Sequence, residues 1–137
     1  MRLLFDIETD GLLRQMSVIH CLVVMDIDTE EVYRYDDSGQ HSSSTEWLTF
    51  LMEANELWGH NLWGFDIPAI QSITPFFHPR CKVYDTLILS RLFFNDMLDR
   101  DLRARPANMP GNLYGRHSLE SWGYRLGVFK SEFGKQL

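Results

Sequence analysis

Arg2-Leu3-Leu4-Phe5-Asp6-Ile7-Glu8 reads as a β-strand with two unlike faces. Alternate side chains of a strand point to opposite sides, so Leu3, Phe5 and Ile7 share one face and Leu4, Asp6 and Glu8 the other. The first face asks for a core. The second ends in two carboxylates. Working outward, Ser17 to Ile27 is a longer run rich in Val and Ile, and Glu31 to Tyr35 follows through a tight turn at Asp28 and Thr29; together they predict an antiparallel meander. The pattern then changes. Ser43-Ser44-Thr45-Glu46, with the spacing of a capping box, precedes Trp47, Leu48, Leu51 and Met52 at helical intervals. Glu56 to His60 is a brief strand, after which Asp66 is placed to cap a helix with Pro68 in its first turn, where a missing N–H costs little. The unit repeats at Lys82 to Tyr84, with Asp85 placed to cap a helix over Leu87 to Phe94. A meander followed by strand–helix alternation predicts an α/β fold, with a mixed sheet and helices packed on it.

Farther on, Asp99 to Arg116 places Pro106, Pro110, Gly111 and Gly115 among four arginines and is expected to be a long mobile loop. Ser118 to Leu126 is the last clear helix, with Gly127 as its stop. A length of 137 residues predicts a single domain spanning 1–137. A hydrophobic content of 45% with 23% charged residues excludes a disordered tail. The net charge of −6 argues against a general nucleic-acid glue, but it is unevenly spread. Residues 1–79 hold 3 basic and 13 acidic residues, a net −10, and residues 80–137 hold 10 and 6, a net +4. One part can gather cations and the other phosphates; chance segregation on a solvated surface gives the same count. Cys21 and Cys81 make no CxxC pair and read as buried free thiols of a reducing, cytoplasmic protein. Asp6 and Glu8 interrupt the first apolar run too early for a signal peptide, and no apolar run approaches ~20 residues, so neither export nor a membrane span is expected.

Asp6 and Glu8 lie at the C-terminal end of the first strand, where two like charges need water, a proton or a cation to relieve them. Hard oxygen ligands without a nearby Cys favour Mg²⁺ or Mn²⁺ over zinc. A second polar turn, His60-Asn61-Leu62-Trp63-Gly64-Phe65-Asp66, brings another carboxylate to a strand's C-terminal edge, which is where ligands collect in open α/β sheets. Asp66 reads both as a helix cap and as a member of that site.

These residues resemble the DEDD (DnaQ-like) 3'–5' exonucleases, and within them the proofreading domains of phage family-A DNA polymerases. Phe5-Asp6-Ile7-Glu8-Thr9-Asp10-Gly11-Leu12 is similar to the first exonuclease motif, and Asn61 to Asp66, of the form N-x-x-x-F-D, to the second. Cys81 to Leu92 and His117 to Gly127 resemble intervening segments, so the resemblance covers essentially the whole chain. It implies an RNase H-like fold, a mixed five-stranded sheet flanked by helices, in a phage-like replication system and the host cytoplasm. It implies two ions, Mg²⁺ or Mn²⁺, acting on a terminal phosphodiester at the 3' end of single-stranded DNA. Asp6, Glu8 and Asp66 would be the catalytic metal ligands, and Thr9, Leu12, Asn61 and Phe65 the contacts to the terminal nucleotides. Trp63 beside them suits base stacking or a place in the core.

The family's third motif, Y-x-x-x-D on a later helix, is not matched after Asp66: Tyr124 is followed four residues on by Val128. The chain is thus expected to be truncated at its C-terminus relative to the family, which leaves three readings open: a fragment, a chain completed by a polymerase or second subunit that supplies the missing carboxylate, or weak function with a substitute carboxylate. Asp85 is the best substitute metal ligand within the chain, its other reading being a helix cap. Arg103 and Arg105, in the expected loop, suit phosphate contacts as well as plain solvation. The alternative to an enzyme is a catalytically impaired nucleic-acid-binding or polymerase-accessory module. His60 and His117 show no ligand spacing and read as structural.

Overall fold

A computed structural model describes residues 1–36 and 44–128, with backbone alone at Ser44 and Thr45. The chain divides into two compact units, Met1–Thr86 and a second beginning at Leu87. The first contains a five-stranded sheet of β1 (Arg2–Thr9), β2 (Ile19–Asp26), β3 (Val32–Asp36), β4 (Glu56–Gly59) and β5 (Lys82–Asp85), with α1 (Ser44–Met52) and α2 (Ile67–Ile73). The strand order is β3-β2-β1-β4-β5. β1 pairs antiparallel with β2, and β2 with β3, while β4 runs parallel to β1 and β5 parallel to β4. This is the expected meander with two parallel strands added on its other side.

The face carrying Leu3, Phe5 and Ile7 is buried, together with Leu22 and Val24 of β2 and Leu57 of β4. α1 covers it with Trp47, Leu48 and Leu51, and α2 with Ile67, Ala69 and Ile70. Each Leu, Ile, Val or Phe among them removed from water stabilises the unit by about 1.5–3 kcal/mol. Trp58 and Tyr84, register partners on β4 and β5, stack with ring centroids 4.3 Å apart. Pro68 sits in the first turn of α2, as expected. The hairpin turn is closed by Asp26, whose carboxylate accepts from Asp28 N–H at 2.9 Å and Thr29 N–H at 3.3 Å. The expected capping residue Ser43 lies outside the described residues.

The second unit contains α3 from Leu87 onward (Thr86–Phe93 in full), α4 (Met97–Ala104), a single 3₁₀ turn (Gly111–Leu113) and α5 (Leu119–Leu126). The expected loop over Asp99 to Arg116 is therefore corrected: its first part is helix. Met97-Leu98-Asp99-Arg100-Asp101-Leu102-Arg103-Ala104 consists largely of good helix formers, and Pro106 ends the helix without entering it. Arg105 closes it in the left-handed region at φ 46°. α5 starts at Ser118, whose hydroxyl oxygen accepts from Ser121 N–H, and stops at left-handed Gly127, as expected. Trp122 Nε1–H donates to Ser90 Oγ at 2.8 Å, which leaves the Ser90 proton for His117 Nδ1 at 2.6 Å. Cys21 and Cys81 are free thiols, half-buried rather than fully buried. No helix among the described residues is long and apolar enough to cross a membrane.

Candidate functional site

Asp6 and Glu8 stand on the exposed face of β1, with Ile7 buried on the other face between them. β4 pairs with β1 only from Arg2 to Leu4, so backbone donors farther along β1 need another acceptor. Asp66 supplies it: the Ile7 N–H donates to Asp66 Oδ2 at 3.2 Å. A carboxylate only 3% exposed thus takes the place of a longer β4, where Asp6 and Glu8 emerge. The expected helix-cap role of Asp66 is corrected. An N-cap needs non-helical backbone angles, whereas Asp66 has φ −58° and ψ −49° and makes no side-chain cap bond. It already belongs to a π-turn, Leu62–Asp66, that runs into α2.

Burial pushes the Asp66 carboxyl up to about 7, the charge of Asp6 adding to the effect and that of Asp85 adding less, while the Ile7 N–H bond opposes it. Like charges facing each other at such a place are relieved by a proton or a cation. Asp6 and Asp66, with Glu8 two residues on along the same strand face, offer a hard-oxygen donor set. Among the described residues, no three His, Cys, Asp or Glu side chains are gathered closely enough to hold a metal ion between them.

The turn before Asp66 has an unusual shape. Asn61 is left-handed at φ 62°, a region that Asn tolerates better than most residues. A Cβ on Gly59 would run into the Leu62 side chain and reach the Phe5 carbonyl at 3.0 Å, so that position needs glycine, and one on Gly64 would displace the Asn61 side-chain amide. Phe65 is half-buried against the core, and Trp63 is 52% exposed. Asp85 is 4% exposed, and its two oxygens accept from Asn61 N–H at 2.8 Å and Trp63 N–H at 3.1 Å.

Thr9 ends β1, its hydroxyl donating to Gly11 O at 2.7 Å, and the Leu12 side chain is 73% exposed. Sequence reasoning passed over Asp10 between them. Its carboxylate accepts from Ser17 Oγ–H at 2.6 Å, Ser17 N–H at 2.8 Å and Val18 N–H at 3.0 Å, bonds that hold it well below the usual carboxylate range. It ties the loop bearing Leu12 to the start of β2. Asp-Gly just past a strand was the available signal, a turn pair with a local acceptor. Arg103 and Arg105 are exposed at the end of α4, in the second unit.

The mixed five-stranded sheet of this order, with carboxylates at the C-terminal end of its first strand, is an α/β arrangement of the RNase H-like kind. The fold recurs in the apo form of a nuclease, with a TM-score of 0.60 and 18% identity over 99% of this chain and 56% of that one. It also recurs in the family B DNA polymerase of the hyperthermophilic archaeon Pyrobaculum calidifontis, with a TM-score of 0.50 and 14% identity over 93% of this chain and 22% of the polymerase. In sequence, the chain is 36% identical over 137 residues to the DNA-directed DNA polymerase of Escherichia phage T7, covering 93% of this chain and 19% of that protein. It is 35% identical over 140 residues to the DNA-directed DNA polymerase of Enterobacteria phage T3, covering 96% of this chain and 20% of that protein. The chain is homologous to one segment of these phage polymerases. It spans about one fifth of the length of these relatives. No family model matches it.

Proposed function

We propose that this chain is the 3'–5' exonuclease domain of a phage-type DNA polymerase, removing nucleotides from single-stranded DNA 3' ends during replication in the host cytoplasm. The observation that carries the reading is the buried Asp66 carboxylate, held on the Ile7 N–H beside Asp6 at the edge of β1. Burial and the like charge of Asp6 disfavour its ionised form, and the donor chemistry suits Mg²⁺ or Mn²⁺. Asp6, Glu8 and Asp66 would hold the ions. Bound there, a divalent ion supplies polarisation of an attacking water and stabilisation of the leaving 3' oxygen. The chain's own residues bind and orient the substrate. Leu12 and Trp63 offer exposed apolar surface to terminal bases, with Thr9, Asn61 and Phe65 beside them. Arg103 and Arg105, exposed on the second unit, suit phosphate contacts of their own.

A second reading, a nucleic-acid-binding or polymerase-accessory module without turnover of its own, is favoured by one observation. Three ligands are not gathered around a common point among the described residues. The deciding experiment incubates the chain with a 5'-labelled single strand in Mn²⁺, Mg²⁺ or EDTA, beside Asp6→Ala and Asp66→Ala. The first reading expects a metal-dependent ladder of shortened products, weakened about a hundredfold or more in either variant. Equal ladders from parent and variants would remove the site assignment. Binding with no ladder would select the accessory module.

A further inference from the structure

At the end of β5 stand two side chains to which the chemistry above gives no bond-making part, Asp85 and Thr86. Both Asp85 oxygens are engaged by backbone donors two residues apart, Asn61 N–H and Trp63 N–H. Thr86 donates its hydroxyl proton to Gly59 O at 3.1 Å and lies 2.9 Å from His60 Nδ1. With that proton on the carbonyl, His60 Nδ1 is the donor, which fixes the ring tautomer. Adjacent residues of β5 and α3 therefore hold Gly59, His60, Asn61 and Trp63. This is a segment that would not keep its shape unaided: Asn61 is left-handed and the turn is closed tightly around Gly59 and Gly64. The same segment sends the Trp63 ring outward and delivers Asp66 to the Ile7 N–H.

We infer that Asp85 and Thr86 form a latch on the Gly59–Asp66 turn, with Asp85 a positioning residue that fixes Trp63 as a stacking platform for a single-stranded base. The platform part rests on the nucleic-acid reading above. Charge-assisted bonds from two amides to one carboxylate are among the stronger ones available to the backbone. In Asp85→Asn the side chain has one acceptor oxygen, so it keeps one amide bonded and turns an NH₂ toward the other. The fold of the sheet does not depend on that second bond; the attitude of the turn does.

Two measurements test this on the full chain. The first is amide hydrogen exchange, with no nucleic acid or metal present. In Asp85→Asn, exchange at Asn61 or Trp63 should rise about tenfold or more, with β1 and β2 amides unchanged. Thr86→Ser should behave as the parent, and Thr86→Val should loosen His60 and Asn61. The second is binding, in EDTA, of a short single strand ending in 3' 2-aminopurine, read by its fluorescence. Trp63→Ala and Asp85→Asn should each weaken binding roughly tenfold, and the double variant no further, because both remove one stacking contact. Parent-like exchange at Asn61 and Trp63 in Asp85→Asn overturns the latch, as does additivity in the double variant. Loss of Mn²⁺ affinity with unchanged exchange also overturns it, making Asp85 a ligand instead. A parent that binds no single strand overturns the nucleic-acid reading and the platform with it, while the exchange pattern still decides the latch.

Discussion

Asp66 and Asp101 are both almost fully buried, 3% and 2% exposed, and their surroundings are opposite. In the second unit, Arg125 meets Asp101 with two parallel bonds, Nε to Oδ1 at 2.8 Å and Nη2 to Oδ2 at 2.7 Å, and Gly115 N–H adds a third at 2.8 Å. The Arg125 hydrogen bonds hold the Asp101 carboxyl below the usual range. In the first unit, Asp66 accepts from the Ile7 N–H and, among the described residues, faces no cation but the like charge of Asp6, and burial pushes it up to about 7. A buried charge with its full complement of partners belongs to the fold. One kept opposite a like charge costs stability, and such groups cluster where chemistry is done.

The largest expected effect breaks the paired case. Arg125→Met leaves Asp101 buried without its cation and should cost about 3–5 kcal/mol in a urea melt. Arg125→Met with Asp101→Leu, which removes both charges, should recover much of that. Acid should act in the same direction. The folded Asp101 pKa lies below its ordinary 3.8, so the pair's contribution is complete above about pH 4 and is lost as the pH falls through the folded value. If Arg125→Met changes stability no more than a surface substitution does, the contrast with Asp66 disappears.

The next effect has the opposite sign. The folded Asp66 pKa is raised from 3.8 to about 7, so its contribution to stability is greatest below about pH 4 and declines as the pH rises through that interval. Asp66→Asn keeps an oxygen for the Ile7 N–H and removes the charge. In chelator it should match the parent near pH 4 and exceed it by on the order of 2–4 kcal/mol above pH 7. Adding Mn²⁺ should then stabilise the parent and leave the variant unmoved, narrowing the gap. Parent and variant of equal stability at pH 8 in chelator would mean that Asp66 carries no unrelieved charge.

How far these two aspartates could be read from the sequence follows from where their partners are. The faces of β1 are legible because a strand's period is two, and that alone put Asp6 and Glu8 together. The core positions of α1 and α2 follow from helical spacing for the same reason. Asp66 was harder: a carboxylate just before a helix with Pro in its first turn has the local form of a cap, and its actual donor, Ile7, is 59 residues away. The donors to Asp85 are 22 and 24 residues away, and nothing around Asp85 signals them. α4 was lost to its neighbours. Pro106, Pro110 and Gly111 gave the whole stretch the look of a loop, although a proline two residues past a helix end marks where the helix stops. The buried character of Asp101 was hidden with it, since an Asp between Arg100 and Leu102 looks like one more charge on a solvated segment.

The smallest effect separates the Asp101 ion pair from the helix that supplies its arginine. Ser118 Oγ caps α5 by accepting from Ser121 N–H at 3.1 Å, and Arg125 lies on the last turn of the same helix. Ser118→Ala removes the cap and should cost about 1 kcal/mol, a typical value for a lost N-cap. The loss should be the same at pH 7 and at pH 5, because no titrating group takes part in that bond. A loss equal to that of Arg125→Met would mean that α5 as a whole unravels once its first turn is freed. Asp101 would then depend on a helix that barely forms, and the second unit's stability would lie in the making of α5 more than in the buried charges it brings together. A small, pH-independent loss leaves the stability with the pair, and the two buried aspartates then differ for electrostatic reasons alone.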